Sequence, residues 1–185
     1  MEILNDFNTS VRKAFDEIDP KWESYEGIVV CGTHSPHDVE EMIEKIRGAR
    51  ESGLPFLGIC MGMELMLIEF ARNVLKLENA NTTEVDPVTP YPIFIQLPEL
   101  RVGLREVCGR QESHWHNWAF NNRYRTMFEG ADLWATYSGD IMEEVGYKNG
   151  FYFGCQYHPE YQNSFDSPHP VLKKFLVYAK NQKKM

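Results

Sequence analysis

Several features that would assign this chain to a particular class are missing from its 185 residues. Neither a paired disulfide scaffold nor a CxxC zinc site is present, since its four cysteines are widely scattered: Cys31, Cys60, Cys108 and Cys155. In the most apolar region the longest uncharged stretch, Ser52–Met63, has 12 residues, whereas a membrane-spanning helix needs ~20. The first residues lack the basic start and apolar run of a signal peptide. We therefore expect a soluble, cytoplasmic protein with reduced thiols.

Positive charge is also scarce. The chain has 19 Lys and Arg against 27 Asp and Glu, a net charge of −8 with histidine neutral. Nucleic acids and anionic membranes are bound by basic faces, so neither is predicted as a partner. A hydrophobic content of 43% is enough for a packed core and excludes a disordered chain. We predict a single domain over residues 1–185.

Short apolar runs alternate with segments of helical periodicity. Gly27–Cys31 and Leu54–Ile59 are typical of buried strands. An amphipathic helix is predicted from Asp38 to Gly53, and a more apolar one over Gly62–Lys76. This alternation predicts an α/β fold, with helices on both faces of a mostly parallel sheet. One short strand is predicted at Ile93–Leu97, and a last helix is predicted over Pro170–Asn181.

A cysteine between two glycines stands where the second strand turns into a helix. In Gly58–Gly62 the central residue is Cys60, and Gly-x-nucleophile-x-Gly is the pattern of a strained nucleophile elbow. A helix N-terminus favours the thiolate, and the amide of Met61 is placed to donate to an oxyanion. The alternative is an ordinary buried thiol. The other three cysteines are predicted to serve packing.

A cysteine nucleophile needs a base, and the base needs an orienting group. His158 ends an apolar run and Glu160 follows two residues later, although the same segment is compatible with a surface turn. No phosphate-binding loop is present. His34 with His37, and His114 with His116, lack further ligands that would fix a metal. No cofactor and no metal are therefore predicted.

Together these motifs resemble the triad-type (class I) glutamine amidotransferases, and among them the C-terminal glutaminase domain of CTP synthase. The resemblance implies Cys60 as nucleophile, His158 as base and then acid, and Glu160 as orienter. It implies a γ-glutamyl thioester intermediate, with ammonia passed to a synthetase partner. Six segments carry it: Pro55–Met63, Ile68–Leu75, Asn79–Pro87, Phe120–Tyr124, Gln156–Glu160 and Ser167–Pro170.

The substrate-handling positions depart from the family pattern. The family's loop Pro-Gly-Gly-Phe-Gly, whose amides help to form the oxyanion hole, matches Cys31–Ser35, in which Gly32 is kept and Thr33 replaces a glycine. Glu64 stands where the family has glutamine. In the segment containing His116, Asn117 stands where an arginine clamps the α-carboxylate. Glu84 matches the glutamate that receives the α-amino group and is retained.

The resemblance therefore implies Gly32 and Met61 as oxyanion donors and four substrate-binding residues: Glu64, Glu84, His116 and Asn117. A carboxylate at Glu64 and the loss of a guanidinium both disfavour a free α-carboxylate. The predicted substrate is therefore glutamine or a modified glutamine-like amide whose α-carboxylate is blocked, absent or held elsewhere. Four arginines are available to replace the clamp: Arg101, Arg105, Arg123 and Arg125.

The front of the chain also differs from the family. Residues 1–26 are predicted as a helical segment, with its helix over Asn5–Ile18, replacing the family's first strand and giving a shortened N-terminus. Either this helix covers the sheet by itself, or a synthetase partner or a second copy of the chain covers the exposed edge strand. Two other functions stay open: hydrolysis of a different γ-glutamyl or other amide without ammonia transfer, and a catalytically quiet binding or regulatory relative.

Overall fold

The computed structural model describes residues 1–7, 9–33, 36–147 and 150–182. These residues form helices and strands in alternation, with three short 3₁₀ helices. The helices are α1 (Ser10–Ile18), α2 (Val39–Ser52), α3 (Met61–Asn73), α4 (Arg125–Glu129) and α5 (Pro170–Asn181). The strands are β1 (Glu2–Leu4), β2 (Ile28–Val30), β3 (Phe56–Ile59), β4 (Asn81–Thr82), β5 (Pro92–Val107), β6 (Arg110–Phe120), β7 (Leu133–Ser138), β8 (Ile141–Tyr147) and β9 (Tyr152–Cys155).

The main sheet has six strands in the order β1-β2-β3-β9-β8-β7. The first four are parallel, whereas β8 and β7 continue the sheet antiparallel. Residues of α2 and α3 pack in the apolar core on one face, and residues of α1 and α5 in the core on the other. The predicted α/β architecture is confirmed, and its central strands are apolar because both of their faces are covered.

Two predicted helix boundaries depend on local chemistry that the sequence displays. α2 ends at Gly53, which adopts φ +71°, a left-handed conformation that glycine reaches without a steric penalty. α5 begins at Pro170, where the missing N–H of proline leaves no intrahelical bond unmade, and its range matches the prediction.

The N-terminal segment corrects the prediction that a helix replaces the first strand. Glu2–Leu4 forms β1, which pairs in parallel with β2 at the edge of the sheet. The helix begins at Ser10 rather than at Asn5. Asp6 accounts for the difference, because its carboxylate accepts the backbone N–H groups of Val11 (3.2 Å) and Arg12 (3.0 Å) at the start of α1.

A long antiparallel hairpin, β5–β6, with β4 forms a second sheet. The prediction of one short strand at Ile93–Leu97 was too brief, because β5 extends to Val107. Cys108 lies exposed at the hairpin turn with φ 50°, which corrects the prediction that it serves packing. Cys31 and Cys155 are buried as expected. Within the described residues no helix is long and apolar enough to cross a membrane.

Candidate active site

Cys60 occupies a sharp turn between β3 and α3. Its backbone has φ 53° and ψ −112°, a strained conformation for a residue with a side chain. The flanking glycines allow the turn: a Cβ on Gly58 would lie 2.6 Å from the carbonyl carbon and oxygen of Gly62, and one on Gly62 would clash with the carbonyl oxygen of Val30. The predicted elbow is therefore present, and its geometry requires glycine at both positions.

The register of the central sheet brings a histidine beside this cysteine. β3 and β9 are parallel neighbours, with Ile59 opposite Cys155, so the chain after each strand emerges at the same edge. The amide of Cys60 donates to the carbonyl of Cys155 (2.8 Å), which fixes the elbow to the end of β9. His158 follows three residues later and is 7% exposed.

A carboxylate and a second ring hold the imidazole of His158. Its Nδ1 lies 2.8 Å from Oε1 of Glu160, and its ring stacks on Tyr161 with centroids 5.0 Å apart. Burial lowers the pKa of His158, but hydrogen bonds and charge interactions with Cys60 and Glu160 raise it well above its ordinary value. The three predicted triad side chains thus meet, and the arrangement favours an imidazolium beside the sulfur.

Gly32 lies directly against this pair. A Cβ on Gly32 would lie 2.9 Å from Cβ of Cys60 and 3.0 Å from Cε1 of His158, so only glycine fits there without displacing them. Met61 is the first residue of α3, where backbone N–H groups have no intrahelical acceptor. Both predicted oxyanion donors therefore adjoin Cys60. His34 and Ser35, in the same predicted loop, lie outside the described residues.

Glu64 lies one helical turn after Cys60 and is 2% exposed. Burial and, to a smaller extent, the charge of Glu84 raise its pKa to about 8, although Thr82 and Gln156 counteract this in part. Its Oε2 has no hydrogen-bond partner among the described residues. Glu64 is therefore mostly a neutral acid at pH 7, which weakens the argument that it repels a carboxylate. Burial also raises the pKa of Glu84.

His116 belongs to a buried chain of imidazoles. Its Nδ1 lies 2.8 Å from the carbonyl oxygen of Trp118, and its Nε2 lies 3.3 Å from Nδ1 of His114. Since a carbonyl only accepts, Nδ1 of His116 carries the proton. Burial lowers the pKa of His114 to about 3 and that of His116 to about 4, so both rings are neutral. A ligand of His116 would have to displace one of these partners.

Two of the four arginines proposed to replace the missing clamp are engaged elsewhere. Arg101 pairs with Glu143 at 2.9 Å, and Arg125 pairs with Glu129 at 2.8 Å. Arg105 and Arg123 are exposed. Asn117 itself is half-buried in β6. The strand also passes the nucleophile, because the sulfur of Cys60 lies 3.9 Å from the carbonyl oxygen of Trp115.

A buried polar network behind His158 escaped sequence reasoning. His169 contacts the carboxylate of Glu112 at 3.0 Å, and Arg110 pairs with Glu112 and with Glu144, both at 2.8 Å. The hydroxyl of Tyr157 donates to Glu144 at 2.6 Å. The network joins β6, β8 and the segment that carries His158. Two of its members fall in motifs of the resemblance, Tyr157 in Gln156–Glu160 and His169 in Ser167–Pro170, but those motifs do not show that the two residues share a network.

The chain belongs to the glutamine amidotransferase class-I family, whose model matches residues 5–178. Within that family it is similar to CTP synthase: it is 38% identical to the enzyme of Staphylococcus aureus (strain JH9) over 179 residues. The match covers 82% of this chain and 33% of that enzyme, so the chain spans about a third of the length of these curated relatives.

Solved structures share the fold. The glutaminase domain of Trypanosoma brucei CTPS, described with bound acivicin, has a TM-score of 0.86 at 18% identity, covering 100% of this chain and 94% of that one. A putative GMP synthase protein from Thermoplasma acidophilum has a TM-score of 0.60 at 12% identity, with 96% and 92% covered. At these identities the likeness concerns the fold.

Proposed function

We propose that this protein hydrolyses a glutamine-like amide through a covalent thioester on Cys60. The observation that carries the proposal is the strained elbow, which presents Cys60 beside a histidine that is itself held by a carboxylate. The sulfur attacks the amide carbonyl, and the amides of Gly32 and Met61 stabilise the oxyanion. His158 then protonates the departing nitrogen and activates water for hydrolysis of the thioester, while Glu160 orients its ring.

The acyl part of the substrate is assigned to Glu64, Glu84, His116 and Asn117, the residues that match the substrate-binding positions of the family pattern. A neutral Glu64 has both a donor and an acceptor, as an amide does, so it is compatible with glutamine below about pH 8. The absence of an arginine at Asn117 is the stronger reason to expect weak binding of a free α-carboxylate. The substrate class is therefore glutamine or a glutamine-like amide whose α-carboxylate contributes little.

Transfer of the released ammonia to a synthetase is the second part of the proposal. Its support is the similarity to CTP synthases, which are about three times as long as the matched region. Hydrolysis of the thioester does not require such a partner. Glutaminase assays with and without candidate synthetases therefore test this part separately.

Acivicin provides the direct test of the thiol, because the solved relative from T. brucei is described with this molecule bound. We expect one equivalent to attach to Cys60, as located by peptide mass spectrometry, and labelling to vanish in Cys60→Ser. Cys108→Ser is the matched control, since it removes an exposed thiol outside the site. If a general alkylator modifies Cys60 but acivicin does not, the thiol is reactive and the substrate is not glutamine-like. If neither reagent modifies Cys60, the proposed hydrolysis is wrong.

A further inference from the structure

A cavity of about 180 Å³ lies beside the triad, between the N-terminal loop and the β9–α5 segment. Its described lining includes Cys60, His158 and Glu160 together with Phe7 and Ser10. None of the four residues assigned to the acyl part of the substrate is among its described lining residues. The described lining of the cavity is therefore distinct from the residues assigned to the acyl part.

The chemistry of amide cleavage decides which part of a substrate this cavity receives. When the tetrahedral intermediate collapses, the carbon–nitrogen bond breaks and the nitrogen takes its electron pair together with a proton from His158. The leaving nitrogen must therefore lie next to His158, where the cavity is. Ammonia is about the size of water, which occupies ~30 Å³. The cavity is several times larger than the departure of ammonia requires.

The lining indicates what kind of leaving group fits. Oε1 of Glu160 is bonded to His158, but its Oε2 is buried and has no partner among the described residues. Asp6 also lines the cavity, and its carboxylate is already compensated by Arg12 at 3.2 Å. The described lining residues include no lysine or arginine. A lining that has the carboxylates of Asp6 and Glu160, and no lysine or arginine among its described residues, favours a ligand that carries an N–H or O–H group.

We propose that this cavity is a leaving-group site, and that the preferred substrate is an N-substituted γ-glutamyl-type amide whose departing primary amine carries a second hydrogen-bond donor. With this substrate the protein releases that amine, and it releases ammonia only when it cleaves glutamine itself. The proposal rests on thioester hydrolysis at Cys60. In the first step the sulfur bonds to the carbonyl carbon and the amine leaves with the proton of His158. In the second step water attacks the thioester, the sulfur–carbon bond breaks, and the acid is released. One water is consumed, and no other reactant is needed.

A matched series of γ-glutamyl amides tests the proposal. The amides of ammonia (glutamine), ethylamine, 2-aminoethanol and 1,2-diaminoethane are compared by kcat/KM, with the released amine and acid measured by mass spectrometry. We expect the two amides with a terminal donor to exceed glutamine and the ethylamide by about tenfold, which is the effect of one hydrogen bond to a charged group. If glutamine equals or exceeds all three, the leaving-group site is refuted.

Two variants locate the effect in the cavity. Ser10→Leu places a larger side chain in it, and we expect the ratio of kcat/KM between the 1,2-diaminoethane amide and glutamine to fall at least tenfold. Lys13→Leu introduces the same leucine side chain at an exposed position of α1 that is not among the described lining residues, and it leaves the ratio unchanged. Phe7→Trp, at a position that is 71% exposed, gives a second, structurally mild way to reduce the space. An unchanged ratio in folded Ser10→Leu and Phe7→Trp overturns the assignment.

Acivicin labelling separates this proposal from the one on which it rests. If acivicin modifies Cys60 but the substituted amides are not preferred, the thioester mechanism stands and only the leaving-group site is wrong. If Cys60 is not modified and none of the four amides is cleaved, both are wrong.

Discussion

Replacing Glu64 with glutamine should stabilise the protein, although it alters a buried residue next to the nucleophile. In the folded state Glu64 keeps its proton up to about pH 8, because burial disfavours the carboxylate; the ordinary value for the group is 4.5. Between these two pH values the unfolded chain binds one proton fewer than the folded chain at this group. The free energy of unfolding therefore falls with rising pH, by about 1.4 kcal/mol per unit, and levels off above about pH 8.

The glutamine side chain has no such dependence. A pH of 7 lies 2.5 pH units above the ordinary glutamate pKa of 4.5. At pH 7 Glu64→Gln should therefore raise the free energy of unfolding by on the order of 3 kcal/mol. At pH 5 the gain should be under about 1 kcal/mol. Urea denaturation at pH 5, 6, 7 and 8 measures the difference directly. The gain should increase with pH, because the native carboxyl holds its proton while the unfolded one loses it.

Glu69→Gln is the matched control on the same helix. Glu69 is 0% exposed, as deeply buried as Glu64, but it pairs with Arg50 at 2.8 Å. Breaking that pair should destabilise the protein by about 3 kcal/mol. The change from glutamate to glutamine is therefore expected to lower the free energy of unfolding at Glu69 and to raise it at Glu64. Equal loss of stability in both variants at pH 7 would refute the protonated Glu64. Activity supplies a second readout: glutamine turnover in the native protein should decline above pH 8, and this decline should be absent in Glu64→Gln.

Three further substitutions test the assignment of the site. Gly32→Ala should lower kcat on the order of 10²-fold, because the Cβ of the alanine would lie 2.9 Å from that of Cys60. Thermal unfolding checks that the variant is folded. An unaltered kcat in the folded variant contradicts the close contact between Gly32 and Cys60. Asn117→Arg should lower KM for glutamine about tenfold and leave KM for glutaminamide, which has no α-carboxylate, unchanged. An equal change of KM for the two substrates shows that position 117 does not bind the α-carboxylate. Glu160→Gln should lower kcat on the order of 10²-fold or more. It should also lower the pKa of His158, measured by NMR, because the carboxylate of Glu160 raises that pKa. An unshifted pKa of His158 rejects its pairing with Glu160.

The parts of the site that the sequence predicts are those fixed by local rules. The elbow at Cys60 follows from two glycines between a strand and a helix, and the proximity of His158 follows from the parallel neighbours β3 and β9. The strand β1 was missed because three residues carry too little periodicity to distinguish them from the start of a helix. The length of the hairpin was missed because most of β5 is exposed and lacks an apolar pattern.

The protonation of Glu64 is the clearest case of information that local sequence does not contain. Its cause is burial beneath segments that carry Glu84 and Gln156, 20 and 92 positions away in the printed numbering. Judged as an exposed carboxylate, the residue argues against glutamine. As a buried neutral acid, it offers hydrogen bonds similar to those of the amide that the family pattern has there. The same residue thus supports different substrates depending on contacts made only in the folded chain.

The charge of the candidate site consequently differs from the family pattern at Glu64 and Asn117, whereas Glu160 follows that pattern. On the acyl side the missing cation at Asn117 reduces the attraction for a carboxylate, while Glu64 adds little negative charge below about pH 8. The cavity beside the triad is lined by the carboxylates of Asp6 and Glu160 and by no lysine or arginine among its described residues. These features favour a substrate that is less anionic at its acyl end and richer in donors at its departing end. Specificity should therefore lie in the amine that leaves as much as in the acid that remains.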